Sequence, residues 1–567
     1  MKPATLAHRR ELCFWGWGYA DAGLTPAEQS QVAGLAAQLG TGAAPAPAPR
    51  LEEFDLPAPR VAAPARLAAI MSATPYDRIT HGYGKSFADL VRLQARTMAH
   101  PPDWVAFPRS EDDVEALLEF AAGSGAAVIP FGGGTSVCGG VEPDVGGDYR
   151  AVISVDLQYL NQVLEVDRSS RAALIEGGAL GPELESQLKP HGLTLRHFPQ
   201  SFEFSTLGGW IATRAGGHFA THYTHIDDFV ESVRMLTPRG AMESRRLPGS
   251  GAGPSPDRMM IGSEGTLGLI TRAWMRLQDR PRFRASASVT FPGMPQAAEA
   301  VRAISQAGLF PSNCRLLDPL EAFMNGVGDG NTALLVLAFE SADHPLQAWM
   351  ARALELLADH GGRWDVDSVQ RSMAAAGAGE ESGEHRKGAA GDWRNQFLRA
   401  PYYRNYLTPA GIIADTFETA ITWDRFEAFY AGVRERVGGA IREVSGAEPL
   451  LSCRFTHVYP DGPAPYFTFY CMGTGSGDMN AMLDRWRTIK LAANEAVTSL
   501  GGTVTHHHAV GRDHRPHGYD EQVPPLFREA FAGARRVLDP NGLMNPGVLL
   551  DTPERGAVVG GVLRHPQ

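Results

Sequence analysis

Three glycine-rich segments constrain what this chain can fold into. The first, Gly132–Ser136, directly follows the apolar stretch Ala127–Phe131, and the other two lie within residues 200–217 and 260–270. Glycine lets backbone N–H groups curl around an anion, because no Cβ atom stands in the way. The first loop has neither the G-x-G-x-x-G pattern nor the Gly-Lys-Ser/Thr pattern of common nucleotide loops. Alone it is as easily a structural turn, but three such segments in one region predict a long phosphate-bearing cofactor threaded through a domain.

The spacing of apolar residues around these loops predicts alternating strands and helices. Glu111–Ser124 has the period of a helix and lies between short apolar strands. The alternation returns after Pro281, where Ala285–Phe291 and Ala333–Phe339 are predicted strands. The Gly/Ala/charge-rich stretch Ala374–Gly391 is expected to be an excursion or lid. We therefore divide the chain into a helical, Pro-rich leader (1–100), a cofactor-binding domain (101–280), a second α/β domain (281–505) and a C-terminal segment (506–567).

Composition excludes several classes of protein. The chain has 52 basic and 63 acidic residues and a net charge of −11, which argues against a nucleic-acid partner. Its five cysteines are widely spaced and form no CxxC pair, which is typical of a reducing compartment. We expect neither a signal peptide nor a membrane span, since no apolar stretch reaches about 18 residues. The expected location is the cytoplasm, with contact to a membrane surface left open.

A histidine triplet, His506–His508, is the sharpest local signal for chemistry. It follows the strand-like Gly502–Thr505, and on a strand His506 and His508 would share one face. Imidazole suits zinc, but the sequence offers no third ligand with useful spacing, so we expect no metal. A surface cluster is the simplest alternative. A general acid/base cluster is the functional interpretation, because imidazole titrates near neutral pH.

The glycine segments read PFGGGTSV (130–137), STLGGW (205–210) and GSEGTLGLI (262–270). In that order they resemble the FAD-binding domain of vanillyl-alcohol-oxidase-type flavoproteins. The resemblance implies an α+β fold: a two-subdomain FAD-binding α/β domain, an α/β substrate (cap) domain, and helical N- and C-terminal segments. It implies non-covalent FAD, because covalent branches often carry a histidine where Gly134-Thr135 stand here. The implied cofactor-binding residues are Pro130, Phe131, Gly132, Gly133, Gly134, Thr135, Ser136, Gln200, Ser201, Ser205, Thr206, Thr213, Arg214, Ala215, Gly216, Glu264, Gly265, Thr266, Leu267, Gly268 and Ile270.

Within that superfamily, the histidine triplet before Ala509-Val-Gly resembles the alkyldihydroxyacetonephosphate synthases, as do FEFSTLGGW (202–210) and LDPN (538–541). This resemblance implies that the acyl chain of acyl-dihydroxyacetone phosphate is exchanged for a long-chain alcohol, giving an ether lipid precursor. It further implies a homodimer and peripheral contact with a membrane. The implied catalytic residues are Tyr466, His506, His507, His508 and Arg315, and the implied substrate-binding residues are Arg404 and His197.

Two other functions remain alternatives. Hydroxy acid dehydrogenases of the superfamily usually carry Glu-His-Gly where the triplet stands, so an FAD-linked dehydrogenase or oxidase of a hydroxy acid or alcohol is the second hypothesis. A flavin-binding scaffold without activity is the third.

Overall fold

The computed structural model describes residues 9–41, 45–219, 221–374, 399–474 and 478–552. Residues 375–391 of the predicted excursion lie outside that range. The described chain forms three main β-sheets with helices packed on them. None of the described helices is both long enough and apolar enough to cross a membrane.

The N-terminal segment is built into the body of the protein. Thr25 caps its first helix with a capping box, and Val32 on that helix is buried. A short strand of the segment pairs antiparallel with the next strand, Met71 opposite Ala106. The predicted leader therefore contributes to a sheet and to the core. Its elements are α1 (Pro26–Leu39), β1 (Met71–Ser72), α2 (Pro75–Thr80) and α3 (Phe87–Gln94).

The first sheet has the order β1-β2-β4-β3, and its last three strands are parallel. The helix between β2 and β3 begins at the Ser110 cap and ends at Gly125, whose φ of 71° is the left-handed conformation that glycine favours. Because β3 ends at Phe131, the first glycine loop lies at the carboxyl edge of a parallel strand, where ligands bind in such sheets. The elements are β2 (Trp104–Ala106), α4 (Glu111–Ser124), β3 (Ala126–Phe131) and β4 (Ala151–Asp156).

The second sheet is antiparallel, in the order β5-β6-β10-β8-β9, and a two-stranded ribbon β7-β11 lies beside it. A core that includes Trp210 and Ile211 joins its helices to it. The elements are β5 (Val163–Asp167), β6 (Ala172–Glu176), α5 (Gly181–Leu188), β7 (Leu193–Thr194), α6 (Leu207–Thr213), β8 (Val230–Thr237), β9 (Gly240–Glu243), α7 (Pro256–Met260), β10 (Leu269–Arg276) and β11 (Gln278–Asp279).

The third sheet has six antiparallel strands in the order β12-β14-β13-β16-β17-β15. Its elements are β12 (Phe283–Phe291), α8 (Met294–Gln306), β13 (Asn313–Leu317), α9 (Pro319–Met324), β14 (Ala333–Ser341), α10 (Gln347–Asp359), α11 (Val366–Ala374), a helical segment 399–407, β15 (Ile412–Glu418), α12 (Trp423–Ser445), β16 (Leu450–Val458), β17 (Pro463–Met472) and α13 (Met479–Ser499).

The two faces of the third sheet differ in chemistry. Successive side chains of a strand point to opposite faces. On β16, Cys453 and Phe455 enter the main hydrophobic core, whereas Arg454 and Thr456 face a cavity. On β17, Phe467 and Phe469 are buried in the same core. The face turned away from the helices is therefore polar, and it forms one wall of the site.

The C-terminal segment returns to the first sheet. The amide of Val128 donates to the carbonyl of Leu543 (2.8 Å), and the amide of Asn545 donates to the carbonyl of Val128 (2.9 Å). The last helix of the described chain is α14 (Pro525–Leu538). This return places the residues around the histidine triplet between the glycine loops and the third sheet.

Candidate active site

A cavity of about 630 Å³ lies between the glycine loops and the polar face of the third sheet. Residues 132–137 and side chains between 199 and 217 line one side. Residues of β15, β16 and β17 line the other. A smaller cavity of about 100 Å³ shares Gly132, Thr206 and Gly209 with the first and extends between β3 and β10. Together they connect the glycine loops to the polar sheet face.

The first glycine loop packs against the second. A Cβ atom on Gly133 would lie 1.5 Å from the carbonyl oxygen of Phe204, and Gly134 has a φ of +65°. Only glycine permits both this approach and this backbone conformation. The hydroxyls of Thr135 and Ser201 line the cavity beside the loop. Exposed backbone, hydroxyl donors and an elongated cavity fit an extended dinucleotide such as FAD.

The third glycine segment is tied to the C-terminal segment through a buried carboxylate. Glu264 accepts hydrogen bonds from the amides of Val510 (2.8 Å) and Gly511 (2.7 Å). Burial raises the pKa of Glu264 to about 7. The side chain of Asn545 donates to the Glu264 carbonyl (2.7 Å). These contacts join the third glycine segment to two separate parts of the C-terminal segment.

Most of the proposed cofactor-binding residues line these two cavities, and three do not. Arg214 pairs with Asp227 at 2.8 Å and its side chain is 60% exposed. Thr266 donates to the carbonyl of Ser263, and Leu267 belongs to the core of the second sheet. The residues that line the cavities are Pro130, Phe131, Gly132, Gly133, Gly134, Thr135, Ser136, Gln200, Ser201, Ser205, Thr206, Thr213, Ala215, Gly216, Glu264, Gly265, Gly268 and Ile270.

The histidine triplet is anchored by Glu418 at the end of β15. One carboxylate oxygen, Oε1, accepts from the amides of His506 (3.1 Å), His507 (2.6 Å) and His508 (2.6 Å). The hydroxyl of Thr505 donates to the same oxygen at 2.9 Å. The prediction that Gly502–Thr505 is a strand is wrong: these residues are irregular, with a bend at Val504, and the histidine triplet that follows is a bend. The amides of the triplet converge on one side chain, so they cannot alternate as a β-ladder requires.

Glu418 also determines which ring nitrogen of His507 carries a proton. Its second oxygen, Oε2, contacts His507 Nδ1. Burial alone would raise the pKa of Glu418, but His507, His508 and their hydrogen bonds hold it well below its usual value. A carboxylate against Nδ1 requires a proton there, which leaves Nε2 as the free lone pair. His507 and His508 line the cavity, whereas His506 lies behind them.

Tyr466 lies beside the two cavity-lining histidines. Its ring centroid is 6.2 Å from that of His507 and 5.5 Å from that of His508. Its hydroxyl donates to Thr416 Oγ1 at 3.0 Å. Burial raises the pKa of Tyr466, although Arg454, stacked 4.0 Å from the ring, and Arg404 oppose the effect. Tyr466 is therefore protonated at neutral pH, and its hydroxyl proton is directed at Thr416 Oγ1.

Three arginines line the same cavity: Arg315, Arg404 and Arg454. Arg454 donates to Glu321 Oε1 at 2.6 Å, and Arg404 lies 3.5 Å from a carboxylate oxygen of Asp415. Burial lowers the pKa of Arg315 to about 9, which still leaves it charged at neutral pH. Guanidinium groups converging on one cavity suit a phosphate or carboxylate ligand.

His197 lies apart from the cavity wall. It is buried, and its ring packs 5.0 Å from the ring of Trp210. Burial lowers the pKa of His197 to about 3, so the ring is neutral. Because Trp210 belongs to α6, His197 supports the helix that follows the second glycine loop. The structure gives it no direct path to a substrate in the cavity.

Sequence reasoning missed several residues of the site: Glu418, Arg454, Thr416, Asp415 and His457. Each lies on a strand of the third sheet. The signal that could have found Arg454 and His457 is the pattern Cys-Arg-Phe-Thr-His, in which polar and apolar residues alternate in an otherwise buried strand.

The structure places a third candidate metal ligand, which the sequence did not indicate, beside the histidine triplet. His457 brings a ring nitrogen within 4.8 Å of those of His506 and His507, and Glu418 does so with His507 and His508. These groups already have protein partners, however. His457 Nε2 lies 2.9 Å from the carbonyl of Gly217, and His506 Nε2 lies 2.8 Å from the hydroxyl of Tyr459. Hydrogen bonding accounts for the arrangement of these rings without an ion.

Comparison with known proteins agrees with this geometry. The family model described as FAD binding domain matches residues 102–244, and the model described as FAD linked oxidases, C-terminal domain, matches residues 280–549. An alkyldihydroxyacetonephosphate synthase of Dictyostelium discoideum is 30% identical over 84% of this chain and 77% of the relative. The glycolate oxidase subunit GlcD of Bacillus subtilis is 25% identical over 81% of this chain and 91% of the relative. A solved structure of an alkyldihydroxyacetonephosphate synthase superposes with a TM-score of 0.75 at 23% identity, covering 94% of this chain and 97% of that one.

The fold and the two matching domains define an FAD-dependent enzyme of the FAD-linked oxidase type. Within that class, the chain belongs to the alkyldihydroxyacetonephosphate synthase family. The expectations of an α+β fold, a flavin domain with a cap domain, and FAD as cofactor are confirmed.

Proposed function

We propose that this chain is an FAD-dependent alkylglycerone-phosphate synthase, which exchanges the acyl chain of acyl-dihydroxyacetone phosphate for a long-chain alcohol. The observation that carries the proposal is a single cavity that joins the glycine loops to His507, Tyr466 and three arginines. When bound, FAD would supply the reactive ring nitrogen of the exchange. The glycine loops Gly132–Ser136 and 205–209 would hold it.

His507 is the proposed base. Glu418 keeps the proton on Nδ1, so Nε2 can accept a proton from the substrate carbon or from the incoming alcohol. The carboxylate then stabilises the imidazolium that forms, as the acid of a catalytic triad does. Burial lowers the pKa of the neighbouring His508 to about 3, so that ring remains neutral and serves as a hydrogen-bonding group.

Tyr466 is the proposed acid. It is protonated at neutral pH, and Thr416 orients its hydroxyl. When the O–H turns from Thr416 toward the cavity, it can protonate or polarise the substrate carbonyl oxygen. Arg315 and Arg404 are proposed to bind the phosphate, since a guanidinium can donate two parallel hydrogen bonds to it. Arg454 stacks on Tyr466 and pairs with Glu321, so it positions the acid.

The acyl and alkyl chains are proposed to lie toward the apolar part of the cavity wall. Val32 and Leu35 of α1 and Met324 of α9 line it, and the neighbouring Phe323 is 60% exposed. A lipid substrate enters more readily from a bilayer, so we include peripheral contact with a membrane in the proposal. A homodimer stays a prediction, and gel filtration with light scattering measures it.

The second candidate is an FAD-linked oxidoreductase acting on a hydroxy acid or alcohol. The resemblance to the glycolate oxidase subunit favours it, and arginines bind a carboxylate as well as a phosphate. The two functions differ in net redox. An oxidoreductase leaves its flavin reduced when no acceptor is present, whereas an exchange of chains does not.

The test is an anaerobic experiment with the purified flavoprotein. Long-chain alcohol carrying a radiolabel is mixed with acyl-dihydroxyacetone phosphate, and candidate 2-hydroxy acids are added to separate samples. The proposal predicts label in the phosphate-bearing product and a flavin that ends oxidised. Persistent bleaching by a hydroxy acid without label transfer would establish the oxidoreductase instead. Acid precipitation tests the attachment of FAD, and we expect the yellow colour in the supernatant.

A further inference from the structure

A chain of hydrogen-bonding groups leads away from the cavity behind His507. His507 Nδ1 lies 3.1 Å from His506 Nδ1, and His506 Nε2 lies 2.8 Å from the hydroxyl of Tyr459. That hydroxyl lies 3.1 Å from Thr224 Oγ1, which lies 3.0 Å from His225 Nδ1. The groups come from the C-terminal segment, the end of β16 and the loop before β8. Three separate parts of the chain thus meet in one continuous line.

The protons in this line can be assigned from its two ends. At the inner end, the Glu418 carboxylate requires a proton on His507 Nδ1. At the outer end, His225 Nε2 lies 3.1 Å from the carbonyl of His506, so Nε2 must carry the proton and Nδ1 must accept. The hydroxyl of Thr224 therefore donates to His225 Nδ1.

Donor and acceptor roles can then be assigned consistently to the groups between the two ends. Thr224 Oγ1, having donated outward, accepts from the hydroxyl of Tyr459. The Tyr459 oxygen then accepts from His506 Nε2–H, and His506 Nδ1 is left to accept from His507 Nδ1–H, a proton that it shares with Glu418 Oε2 in a three-centre hydrogen bond. Every hydrogen bond in the line donates away from the cavity. A chain of hydrogen bonds that all donate in the same direction can pass a proton outward in steps. Each group that receives a proton on one side donates its own proton to the next group in the chain.

The proposed reaction produces a proton that must leave a buried site. An acyl ester and an alcohol become an alkyl ether, a carboxylate and one proton at neutral pH. The C1–oxygen bond to the acyl group breaks, with its electron pair remaining on the carboxylate, and the alcohol oxygen forms the new bond to C1. The alcohol hydrogen is the proton released. His507 is half-buried, and its Nδ1–H faces two acceptors, Glu418 Oε2 and His506 Nδ1; of these two, His506 leads on to further hydrogen-bonding side chains.

We propose that His506, Tyr459, Thr224 and His225 form a proton-exit path that carries the reaction's proton from His507 to solvent. The inference rests on the proposed function. In sequence, His507 Nδ1–H passes to His506, His506 Nε2–H to Tyr459, the Tyr459 proton to Thr224 and the Thr224 proton to His225. His225 and Tyr459 are partly exposed, and burial lowers the pKa of His225, so His225 is the proposed group from which the proton passes to water. The path explains why His506 does not line the cavity although it belongs to the triplet.

The first test does not depend on activity. Holoenzyme with ¹⁵N-labelled histidine is examined by long-range ¹H–¹⁵N correlation, with His225→Gln and His506→Gln variants to assign the signals. The path predicts that the resting His225 and His506 are both neutral with the proton on Nε2. A proton on Nδ1 of either ring would break the line and overturn the proposal.

The second test measures turnover in dilute, non-imidazole buffer. Tyr459→Phe removes the contacts to His506 and Thr224 and the longer 3.5 Å contact to His225, so we expect kcat to fall about tenfold. Thr224→Val should lower kcat less, and Thr224→Ser, which keeps a hydroxyl, should restore it. Added imidazole should raise kcat of Tyr459→Phe toward that of the wild type, because a diffusing base can replace the path. A merely structural loss would not respond to imidazole.

The two proposals fail in different ways. If the wild type transfers no labelled alcohol, the synthase function fails, while the tautomer measurement still decides whether the line is polarised as described. If the wild type is active but Tyr459→Phe and Thr224→Val match it in dilute buffer, the exit path fails and the synthase function stands. If either variant loses FAD, its flavin absorbance shows it, and the other variant then decides.

Discussion

Glu418→Gln is the substitution that most sharply tests the chemistry of the histidine triplet. The carboxylate is 1% exposed and one of its oxygens accepts four hydrogen bonds. Glutamine can keep that oxygen as its amide carbonyl, but its NH₂ group must then face His507 Nδ1. An NH₂ group can only donate, so His507 must shift its proton to Nε2, and the lone pair that faces the cavity is lost.

The size of the effect follows from the contacts. A base histidine held in the wrong tautomer loses about 10⁴ in kcat in a catalytic triad, and we expect a loss approaching that size here. Hydrogen bonds to a charged acceptor contribute about 1.5–3 kcal/mol, so we expect the free energy of unfolding to fall by about 2–4 kcal/mol. Because the pKa of Glu418 is lowered, its stabilisation is present above the unfolded value of about 4.3 and is lost only as pH falls through the folded value. The stability difference should therefore be constant from pH 5 to 8.

The assay is labelled-alcohol exchange at saturating substrate, with stability measured by denaturant unfolding. Thr505→Val is the matched control, since it removes one neutral donor to the same carboxylate oxygen without altering the charge. It should cost about 1 kcal/mol of stability and leave kcat within a few-fold of the wild type. If Glu418→Gln keeps kcat within about threefold while retaining FAD, the assignment of His507 as an oriented base is refuted.

Three further predictions concern the cofactor loop, the arginines and a buried carboxylate. Gly133→Ala should abolish FAD binding, because the added Cβ would lie 1.5 Å from the carbonyl oxygen of Phe204. Gly123→Ala is the control and should retain FAD, because its Cβ would meet nothing within 4 Å. Flavin absorbance per protein measures both. Arg315→Met should raise KM for the phosphate-bearing substrate about 10- to 100-fold through the loss of a charged hydrogen bond. Arg434→Met removes contacts to Asp318, Tyr430 and the Leu451 carbonyl, none of which lines the cavity, so it should leave KM unchanged. Equal KM values in the two variants would contradict the phosphate site. The pKa of Glu264 is raised to about 7, so between about pH 4.3 and 7 the folded protein binds a proton that the unfolded chain has lost. The stability of the wild type should therefore decline across that window, by up to about 3 kcal/mol more than the stability of Glu264→Gln. Parallel stability curves of the two proteins in thermal scans would refute the raised pKa.

Much of the fold could be predicted from local patterns. Glu111–Ser124 is a helix as its apolar spacing indicates, and the predicted strand Ala285–Phe291 lies within β12 (Phe283–Phe291). Both segments combine a clear period with capping or turn residues at their ends. The N-terminal segment could not be assigned in this way. Its Pro-rich sequence resembles a spacer, but Phe87 and Val91 are buried against α13 and the third sheet. These partners are far away in the sequence, so no local pattern predicts the contact.

The residues of the site likewise fall into two groups: those that a local sequence pattern predicts and those that depend on distant partners. The glycine loops were recognisable because their function depends on the backbone, which a run of glycines reveals. Glu418 and Arg454 were not, because each acts through partners on other strands: Glu418 through the amides of the triplet, and Arg454 through Tyr466 and Glu321. The Gly502–Thr505 segment shows the opposite error. Its local composition favours a strand, but one distant carboxylate gathers the following amides into a turn.

The most direct test of the account uses an alcohol labelled with ¹⁸O. Purified enzyme is incubated with acyl-dihydroxyacetone phosphate and the labelled long-chain alcohol, and the products are analysed by mass spectrometry. Exchange at C1 predicts that the label appears in the ether product, while the released fatty acid carries none. If the label instead appears in an ester of the fatty acid, or if no ether forms while the flavin is intact, the cavity does not perform the proposed exchange.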